Sequence, residues 1–281
     1  MKLSIITINR NNAAGLEKTM RSVADQTYKE FEYVVVDGAS TDESVEIIRK
    51  HESEYAHLKW ISEPDSGIYN AMNKGIKMSS GEYIMILNSA DSLFSPTVID
   101  DMLQALDRSG DARILLGNIV KDGVKRSCRK KAKNNAMQVT PVDSSMFTFY
   151  LSSIPHDAAF INKDIFDEFG YYDENMKICS DWKLFLDAIE LGGVVPIYVD
   201  IDLVLFDMSG VSESGGKNAR IIKKERRSYL KEVIPPSILK DYDRYASDIL
   251  MMQRLHRHPF AFKTVRFLER CLFKFEKWFG A

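Results

Sequence analysis

The chain has 281 residues and 45% hydrophobic content, enough for one large α/β domain with an extension around an ordinary globular core. Its net charge of −2 argues against a general nucleic-acid-binding protein. Three widely spaced cysteines exclude a disulfide framework and a cysteine metal motif, and the absence of a signal-peptide segment or long apolar run predicts a cytoplasmic protein.

Strands and helices alternate through the first ninety residues. Mostly apolar runs predict buried strands at 3–8, 31–36 and 83–87, the last of them unbroken, and a short strand at 58–61. The predicted helix starts are Asn11 or Asn12 as an N-cap, Ser40 with Glu43 as a capping box, and Ile68. This alternation predicts an α/β fold with a parallel sheet covered by helices. No dinucleotide-binding glycine motif or P-loop motif follows any of these strands.

The second half of the chain continues with shorter predicted elements. Ser95-Pro96 opens a helix, and Lys121-Asp122-Gly123 is a predicted hairpin turn. The basic segment 125–133 is predicted to be a solvated loop, with phosphate or membrane contact as the alternative. The remaining predictions are strands at 112–120, 158–162, 194–199 and 201–206, and helices at 164–170 and 180–192.

Acidic residues follow three of the predicted strands. Asp37, Asp65 and Asp91 would lie on one rim of the sheet, with Thr7 beside them. Carboxylates there could hold a divalent cation, or accept hydrogen bonds from a nucleotide base or a ribose. Each aspartate alone is more typical of a turn, so the prediction depends on all three together.

Five segments of the chain carry a family resemblance. They are Ser4–Asn9, Val34–Asp42, Ser62–Gly75, Leu87–Asp91 and Cys179–Trp182. Through them the chain resembles the family 2 inverting glycosyltransferases over about residues 1–212. Glu63–Gly75 is the most specific stretch, and it resembles bacterial enzymes that build capsule, O-antigen and colanic-acid-type polysaccharides. The resemblance implies a GT-A fold, with a mostly parallel central sheet flanked by helices and residues 213–281 as a C-terminal helical extension.

The resemblance also implies roles for individual residues. Thr7 and Asp37 would hold the nucleotide base, and Asp65 would lie over the nucleotide. Asp91 matches the last acid of the family's D-x-D motif, which binds Mg²⁺ or Mn²⁺ at the donor diphosphate. Asp181 matches the general base of the family's E-D motif. Further candidates are Asn9, Gly67, Asn73 and Ser89 for nucleotide-sugar binding, and His156 and Trp182 for the acceptor side.

Two motifs depart from the family pattern. Ser180 replaces the glutamate before the base Asp181, and Asn88 and Ala90 leave Asp91 as the one acid of the metal motif. One carboxylate with a diphosphate and waters is an acceptable Mg²⁺ shell. In the implied reaction an acceptor hydroxyl attacks C1 of the sugar, Asp181 takes its proton, and the cation neutralises the leaving diphosphate. The helix N-terminus at Asp181 is expected to keep that carboxyl ionised.

The last segment, 259–281, has the pattern of a basic amphipathic helix. Its apolar stripe consists of Val265, Leu268, Leu272, Phe275 and Phe279. The opposite face is basic and consists of Lys263, Arg266, Arg270, Lys274 and Lys277. Such a helix is typical of a membrane interface. Packing on the protein's own core or in a homodimer is the alternative.

These features predict an inverting glycosyltransferase that moves a sugar from a nucleotide-sugar donor, with UDP as the expected nucleotide, to a saccharide or lipid-linked saccharide in bacterial surface polysaccharide synthesis. The expected location is peripheral, on the inner face of the cell membrane. One rival is a sugar-phosphate nucleotidyltransferase, although Asn9–Gly15 lacks the glycine-rich triphosphate loop of that class. The other is a non-catalytic scaffold of a polysaccharide assembly complex, which the reduced metal motif would suit.

Overall fold

The computed structural model describes residues 1–55, 57–110, 112–121, 124–126, 140–142, 144–207 and 216–279. The chain divides into two compact units, Met1–Arg226 and Arg227–Ala281. The domain boundary predicted at residue 212, the hairpin turn at 122–123 and most of the basic segment 125–133 lie outside the described residues.

Four parallel strands form the first half of the sheet. They are β1 (Leu3–Asn9), β2 (Glu32–Asp37), β3 (Leu58–Ser62) and β4 (Tyr83–Ile86), in the spatial order β3-β2-β1-β4. The helices between them are α1 (Ala13–Ala24), α2 (Ser44–His51) and α3 (Ile68–Met78), with a 3₁₀ turn at Glu52–Glu54. Strands β1, β2 and β4 are buried along their whole length, as expected of strands covered on both faces.

The second half of the sheet is mixed. Its strands are β5 (Ser92–Leu93), β6 (Ile114–Lys121), β7 (Val124–Arg126), β8 (Thr140–Pro141), β9 (Ala159–Asn162) and β10 (Ile197–Leu205). The order continues β4-β9-β6-β10-β5, with β7 on β6 and β8 on β10. Strand β9 is antiparallel to both β4 and β6, and β6 is parallel to β10. Strands β1 to β4, β6 and β10 therefore share one direction, which confirms the predicted α/β fold with a mostly parallel sheet.

The helices of this half are α4 (Val98–Arg108), α5 (Met146–Leu151), α6 (Asp164–Phe169) and α7 (Ser180–Phe185), which continues as a π-helical segment over Leu186–Leu191. The predicted start of α4 is two residues early, because the carbonyl of Pro96 accepts the N–H of Thr27 instead of joining the helix.

Two further local predictions are wrong. The Ser40–Glu43 capping box does not form, since the Ser40 hydroxyl donates to Asp37 and α2 begins at Ser44. The two strands predicted at 194–199 and 201–206 are the single strand β10, whose register with β6 shifts after Tyr198. A bulge of this kind shifts the alternation of inward and outward side chains along a strand.

Helix α3 packs closely on β1 because Gly75 has no side chain. A Cβ at Gly75 would lie only 2.4 Å from Cγ2 of Ile6. Met72 and Ile76 are buried on the same helix. This close approach fixes α3, whose first residues reach the rim where β1 and β4 end.

The C-terminal region is helical, as predicted. Its helices are α8 (Gly216–Val233), α9 (Pro236–His256) and α10 (Pro259–Phe279). Helix α8 begins in the first unit and ends in the second. Within the second unit, both terminal nitrogens of the Arg227 guanidinium donate to the Asp243 carboxylate. Among the described residues no helix combines the length and the apolar character that crossing a membrane requires.

Candidate active site

A cavity of about 490 Å³ opens where β1 and β4 end. Ligands of open α/β sheets bind at this position, beyond the carboxyl ends of the strands. Its lining residues come from the segments 8–12, 65–72, 88–91, 156–157, 177–181 and 206–207. Of the residues singled out in the sequence, the cavity brings together Asn9, Asp65, Gly67, Ser89, Asp91, His156 and Asp181.

Asp37 is buried beneath the rim and organises it. Its carboxylate accepts hydrogen bonds from Asn9 Nδ2 at 3.0 Å, Ser62 Oγ at 2.6 Å and the Ser40 N–H at 2.9 Å. Asn9 Oδ1 in turn accepts a hydrogen bond from Ser89 Oγ at 2.8 Å. Asp37 therefore acts on the cavity through Asn9 and Ser89, which line it.

Thr7, Asn73 and Trp182 are buried in packing contacts and do not line the cavity in the described part of the chain. Thr7 Oγ1 accepts a hydrogen bond from the Tyr33 hydroxyl at 3.0 Å. Asn73 ties α3 to the backbone N–H and carbonyl of Tyr172, at 3.0 and 2.9 Å. Trp182 Nε1 donates to a backbone carbonyl of α5 at 3.0 Å. These side chains hold the elements around the cavity.

Asp65 and Gly67 form the turn that leads into α3. The Gly67 N–H donates to Asp65 Oδ1 at 3.1 Å, and Gly67 has φ of +147°, which favours glycine. The Asp65 carboxylate packs over the turn after β2, since a Cβ on Gly38 would lie 2.3 Å from Oδ2. The Arg10 guanidinium lies 3.8 Å from Asp65. The rim thus presents a carboxylate and a cation side by side.

His156 joins two aspartates inside the cavity. Its Nδ1 lies 3.1 Å from Asp181 Oδ2, and its Nε2 lies 3.1 Å from Asp157 Oδ1. Burial by itself lowers the pKa of His156, but the charges of Asp157 and Asp181 outweigh it and raise the pKa to about 9. The imidazole is therefore protonated at neutral pH.

Asp181, the second residue of α7, is held in its ionised form. The Tyr69 hydroxyl donates to its Oδ1 at 3.2 Å and accepts the Ser180 N–H at 3.1 Å. Burial acts to raise the pKa of Asp181, but the hydrogen bond and charge of His156, with the N–H of Trp182, hold it below its ordinary value. An ionised carboxylate is the form that a general base needs.

Asp91 is presented by a strained turn after β4. Ala90 has φ of +85°, a region that a residue with a Cβ rarely adopts. Helix α1 holds this turn, because Thr19 Oγ1 accepts the Ala90 N–H at 3.0 Å and Lys18 Nζ donates to the Ala90 carbonyl at 2.8 Å. Asp91 Oδ1 accepts the N–H of Asp207 at 2.8 Å.

The chemistry of Asp91 fits a cation that the protein shares with a ligand. Burial and the charge of Asp157 raise the pKa of Asp91 to about 7, and a cation would offset both effects. Within the described ranges, no three His, Cys, Asp or Glu residues are grouped so that they could hold a metal ion by themselves. The remaining ligands would have to come from a bound diphosphate and water.

Sequence reasoning missed two residues that contact these groups, Tyr69 and Asp157. Tyr69 lies inside the most family-specific segment, Glu63–Gly75, where its hydroxyl was a usable signal. Asp157 follows His156 directly and accepts a hydrogen bond from Asn88 Nδ2 at 2.9 Å. The Asn88 contact joins residues 69 positions apart, so no local signal in the sequence indicated it.

The mostly parallel sheet, with its cavity at the strand ends, has the fold of the GT-A class of transferases. Solved structures of this class share the fold. S. aureus TarS 1–349 in complex with UDP-GlcNAc matches with a TM-score of 0.60 and 19% identity, over 77% of this chain and 61% of that chain. The mannosyltransferase PcManGT from Pyrobaculum calidifontis, in complex with GDP-Man and Mn²⁺, matches with a TM-score of 0.56 and 18% identity, over 80% and 60%. The chain thus spans about 60% of the length of these solved proteins.

Sequence comparison narrows the class to one family. The profile of glycosyl transferase family 2 matches residues 4–170. An uncharacterized glycosyltransferase of Mycobacterium tuberculosis is 32% identical over 210 residues, 74% of this chain and 76% of that protein. A PGL/p-HBAD biosynthesis glycosyltransferase of Mycobacterium bovis is 25% identical over 223 residues, 79% of this chain and 81% of that protein. The chain belongs to glycosyl transferase family 2 and is a transferase enzyme.

Proposed function

We propose that this enzyme transfers a sugar from a nucleotide donor to an acceptor hydroxyl, with inversion at the anomeric carbon. The observation that carries the proposal is a partly buried, ionised Asp181 in the same cavity as Asp91, a carboxyl whose raised pKa suits a cation. UDP is the expected nucleotide, and TarS has been solved with UDP-GlcNAc. The expected acceptor is a saccharide or lipid-linked saccharide of a bacterial surface polysaccharide.

The proposed reaction forms a bond between the acceptor oxygen and C1 and breaks the bond between C1 and the diphosphate. Asp181 accepts the proton of the acceptor hydroxyl. Tyr69 and His156 orient its two carboxylate oxygens, at 3.2 and 3.1 Å. Asn9, Asp65 and Ser89 line the cavity, which supports the proposal that they bind the nucleotide-sugar. Asp91, together with the donor diphosphate, would hold a divalent cation, Mg²⁺ or Mn²⁺, which would supply charge neutralisation at the leaving group.

Calorimetry with UDP and GDP, each with and without Mn²⁺, tests the donor site directly. We expect one nucleotide to bind in a metal-dependent manner, and Asp91→Ala to lose that dependence. Asp241→Ala, at an exposed acid of α9, is the matched control and should bind as the parent does. Absence of nucleotide binding in every condition would overturn the proposal.

We also propose that α10 attaches the enzyme to an anionic membrane surface. Phe260 and Trp278 are each 87% exposed, and both fall on one face of the helix with Phe267 and Phe275. Lys263, Arg266, Arg270 and Lys274 fall on another face by helical spacing. An apolar face beside a row of cations complements an interface with anionic headgroups. A lipid-linked acceptor would be presented at that surface.

A further inference from the structure

Helix α8 holds the backbone segment that precedes the candidate base. The Glu225 carboxylate accepts the N–H groups of three consecutive residues, Lys177 at 2.7 Å and Ile178 and Cys179 at 3.1 Å each. Convergent backbone N–H groups of this kind form an anion-binding nest, which is filled here by a side chain of the same chain. The segment Lys177–Cys179 leads directly into α7, where Asp181 is the second residue.

The same helix contacts residues on both sides of the base. The Arg226 guanidinium lies over the ring of Trp182, with Cζ 5.3 Å from the ring centroid. Cys179 is buried, and its Sγ lies 3.8 Å from the Ile222 carbonyl of α8. Trp182 directly follows Asp181 in the sequence, and Cys179 lies two residues before Asp181. Helix α8 therefore fixes the chain immediately before and after the candidate base.

Lys177 and Ile178 also line the cavity, so the segment held by Glu225 is part of the active-site wall. Released from Glu225, three backbone N–H groups would have to find water or rearrange. Either change would move the start of α7 and with it the Asp181 carboxylate. A displacement of about 1 Å at a reacting group can cost on the order of 100-fold in rate.

We propose that Glu225 is a positioning residue for glycosyl transfer, acting as a latch that holds the Lys177–Cys179 segment and thereby places Asp181. The inference rests on the proposed role of Asp181 as the base. Glu225 lies beyond residues 4–170, to which the family profile extends, so the latch is a contribution of the C-terminal part of this chain.

The test uses the full chain with Cys128→Ser and Cys271→Ser, which leaves Cys179 as the sole cysteine. In this background Glu225→Ala is compared with the isosteric Glu225→Gln, and with Glu232→Ala as a matched control on an exposed residue of the same helix. Three quantities are measured: kcat for transfer, the Kd of UDP with Mn²⁺, and the rate at which a thiol reagent labels Cys179.

We expect Glu225→Ala to lower kcat by roughly 10- to 100-fold and to keep the parental Kd for the nucleotide. The thiol reagent should label Cys179 faster in this variant than in the parent. Glu225→Gln, which retains one acceptor oxygen, should be intermediate, and Glu232→Ala should match the parent. Parental kcat in Glu225→Ala, or a lower kcat with unchanged labelling, would overturn the latch. Equal losses in kcat, nucleotide affinity and melting temperature would also overturn it, because they indicate a general loss of structure.

Failure of the proposed function gives a different result. If Asp181→Asn transfers sugar as fast as the parent, Asp181 is not the base. Glu225 then does not act in catalysis by positioning a base. The labelling of Cys179 then still decides whether Glu225 holds the segment.

Discussion

One histidine sets the charge of the candidate base. Asp157 is buried, Asp181 is partly buried, and His156 lies 3.1 Å from each of them. The helix N-terminus at Asp181 was the expected cause of its ionisation, but in the structure His156 opposes the effect of burial more directly. The pairing could not be read from sequence, because His156 and Asp181 are 25 positions apart.

Replacing the base should stop chemistry without stopping donor binding. Asp181→Asn keeps the size of the side chain but cannot take a proton, so we expect kcat to fall by about 10²- to 10⁴-fold. The Kd for the nucleotide, measured by calorimetry with Mn²⁺, should remain parental. A variant that keeps most of its turnover would exclude Asp181 as the base.

Glu32 provides a residue-scale test of stability against pH. It is 2% exposed and accepts hydrogen bonds from Ser4 Oγ at 2.6 Å and the Ser80 N–H at 2.7 Å. Burial acts to raise its pKa, but Lys59 and these donors lower it from 4.5 to about 2. The carboxylate therefore stabilises the fold fully above about pH 4.5, and this stabilisation is lost as the pH falls towards 2.

We expect Glu32→Gln to lower the free energy of unfolding by about 2 kcal/mol at pH 7, after allowance for the solvent-screened Lys59. The difference from the parent should shrink between pH 4.5 and pH 2 in urea denaturation. Glu46→Gln, at an exposed position of α2, should follow the parent throughout. A difference that stays constant down to pH 2 would show that the ionised carboxylate is not the stabilising form.

At the scale of elements, α10 makes a prediction independent of catalysis. Phe267→Ser with Trp278→Ser removes two exposed aromatic side chains of the helix, which are 65% and 87% exposed. We expect this double variant to lose co-sedimentation with vesicles that contain phosphatidylglycerol, while the parent binds them and ignores pure phosphatidylcholine.

Salt and self-association provide the controls for α10. Binding of the parent should weaken as salt rises, because cations on the helix contribute to it. Tyr245→Ser, at an exposed aromatic residue of α9, is the matched variant and should bind as the parent does. If the parent forms dimers in solution and binds no vesicle, the apolar face belongs to a protein interface instead.

At the scale of the whole molecule, strands were predicted in both halves of the sheet, but the strand pairing of the second half was not. Strands β1 to β4 could be predicted because each is a mostly apolar run that is followed by polar residues. Strand β9 inserts antiparallel between β4 and β6, an arrangement that depends on pairing between segments more than 40 residues apart in sequence.

In the candidate site, too, features carried by local motifs could be predicted and features that depend on distant contacts could not. Asp65, Asp91 and Asp181 could be placed because local motifs carry them. The burial of Thr7, Asn73 and Trp182 depends on which neighbours cover them, and a single residue type does not determine that. Glu225 gave no local signal at all, since its partners are backbone N–H groups 46 to 48 positions away.

The positive φ of Ala90 has one further consequence, for the entropy of the proposed cation binding. Glycine would adopt the φ of +85° without strain, yet the chain has a residue with a Cβ there. A glycine at this point would let the turn visit many more backbone states, and each would aim the Asp91 carboxylate differently. Alanine, held by Thr19 and Lys18, limits these backbone states in advance, so less conformational entropy would be lost if the proposed cation and diphosphate bind there.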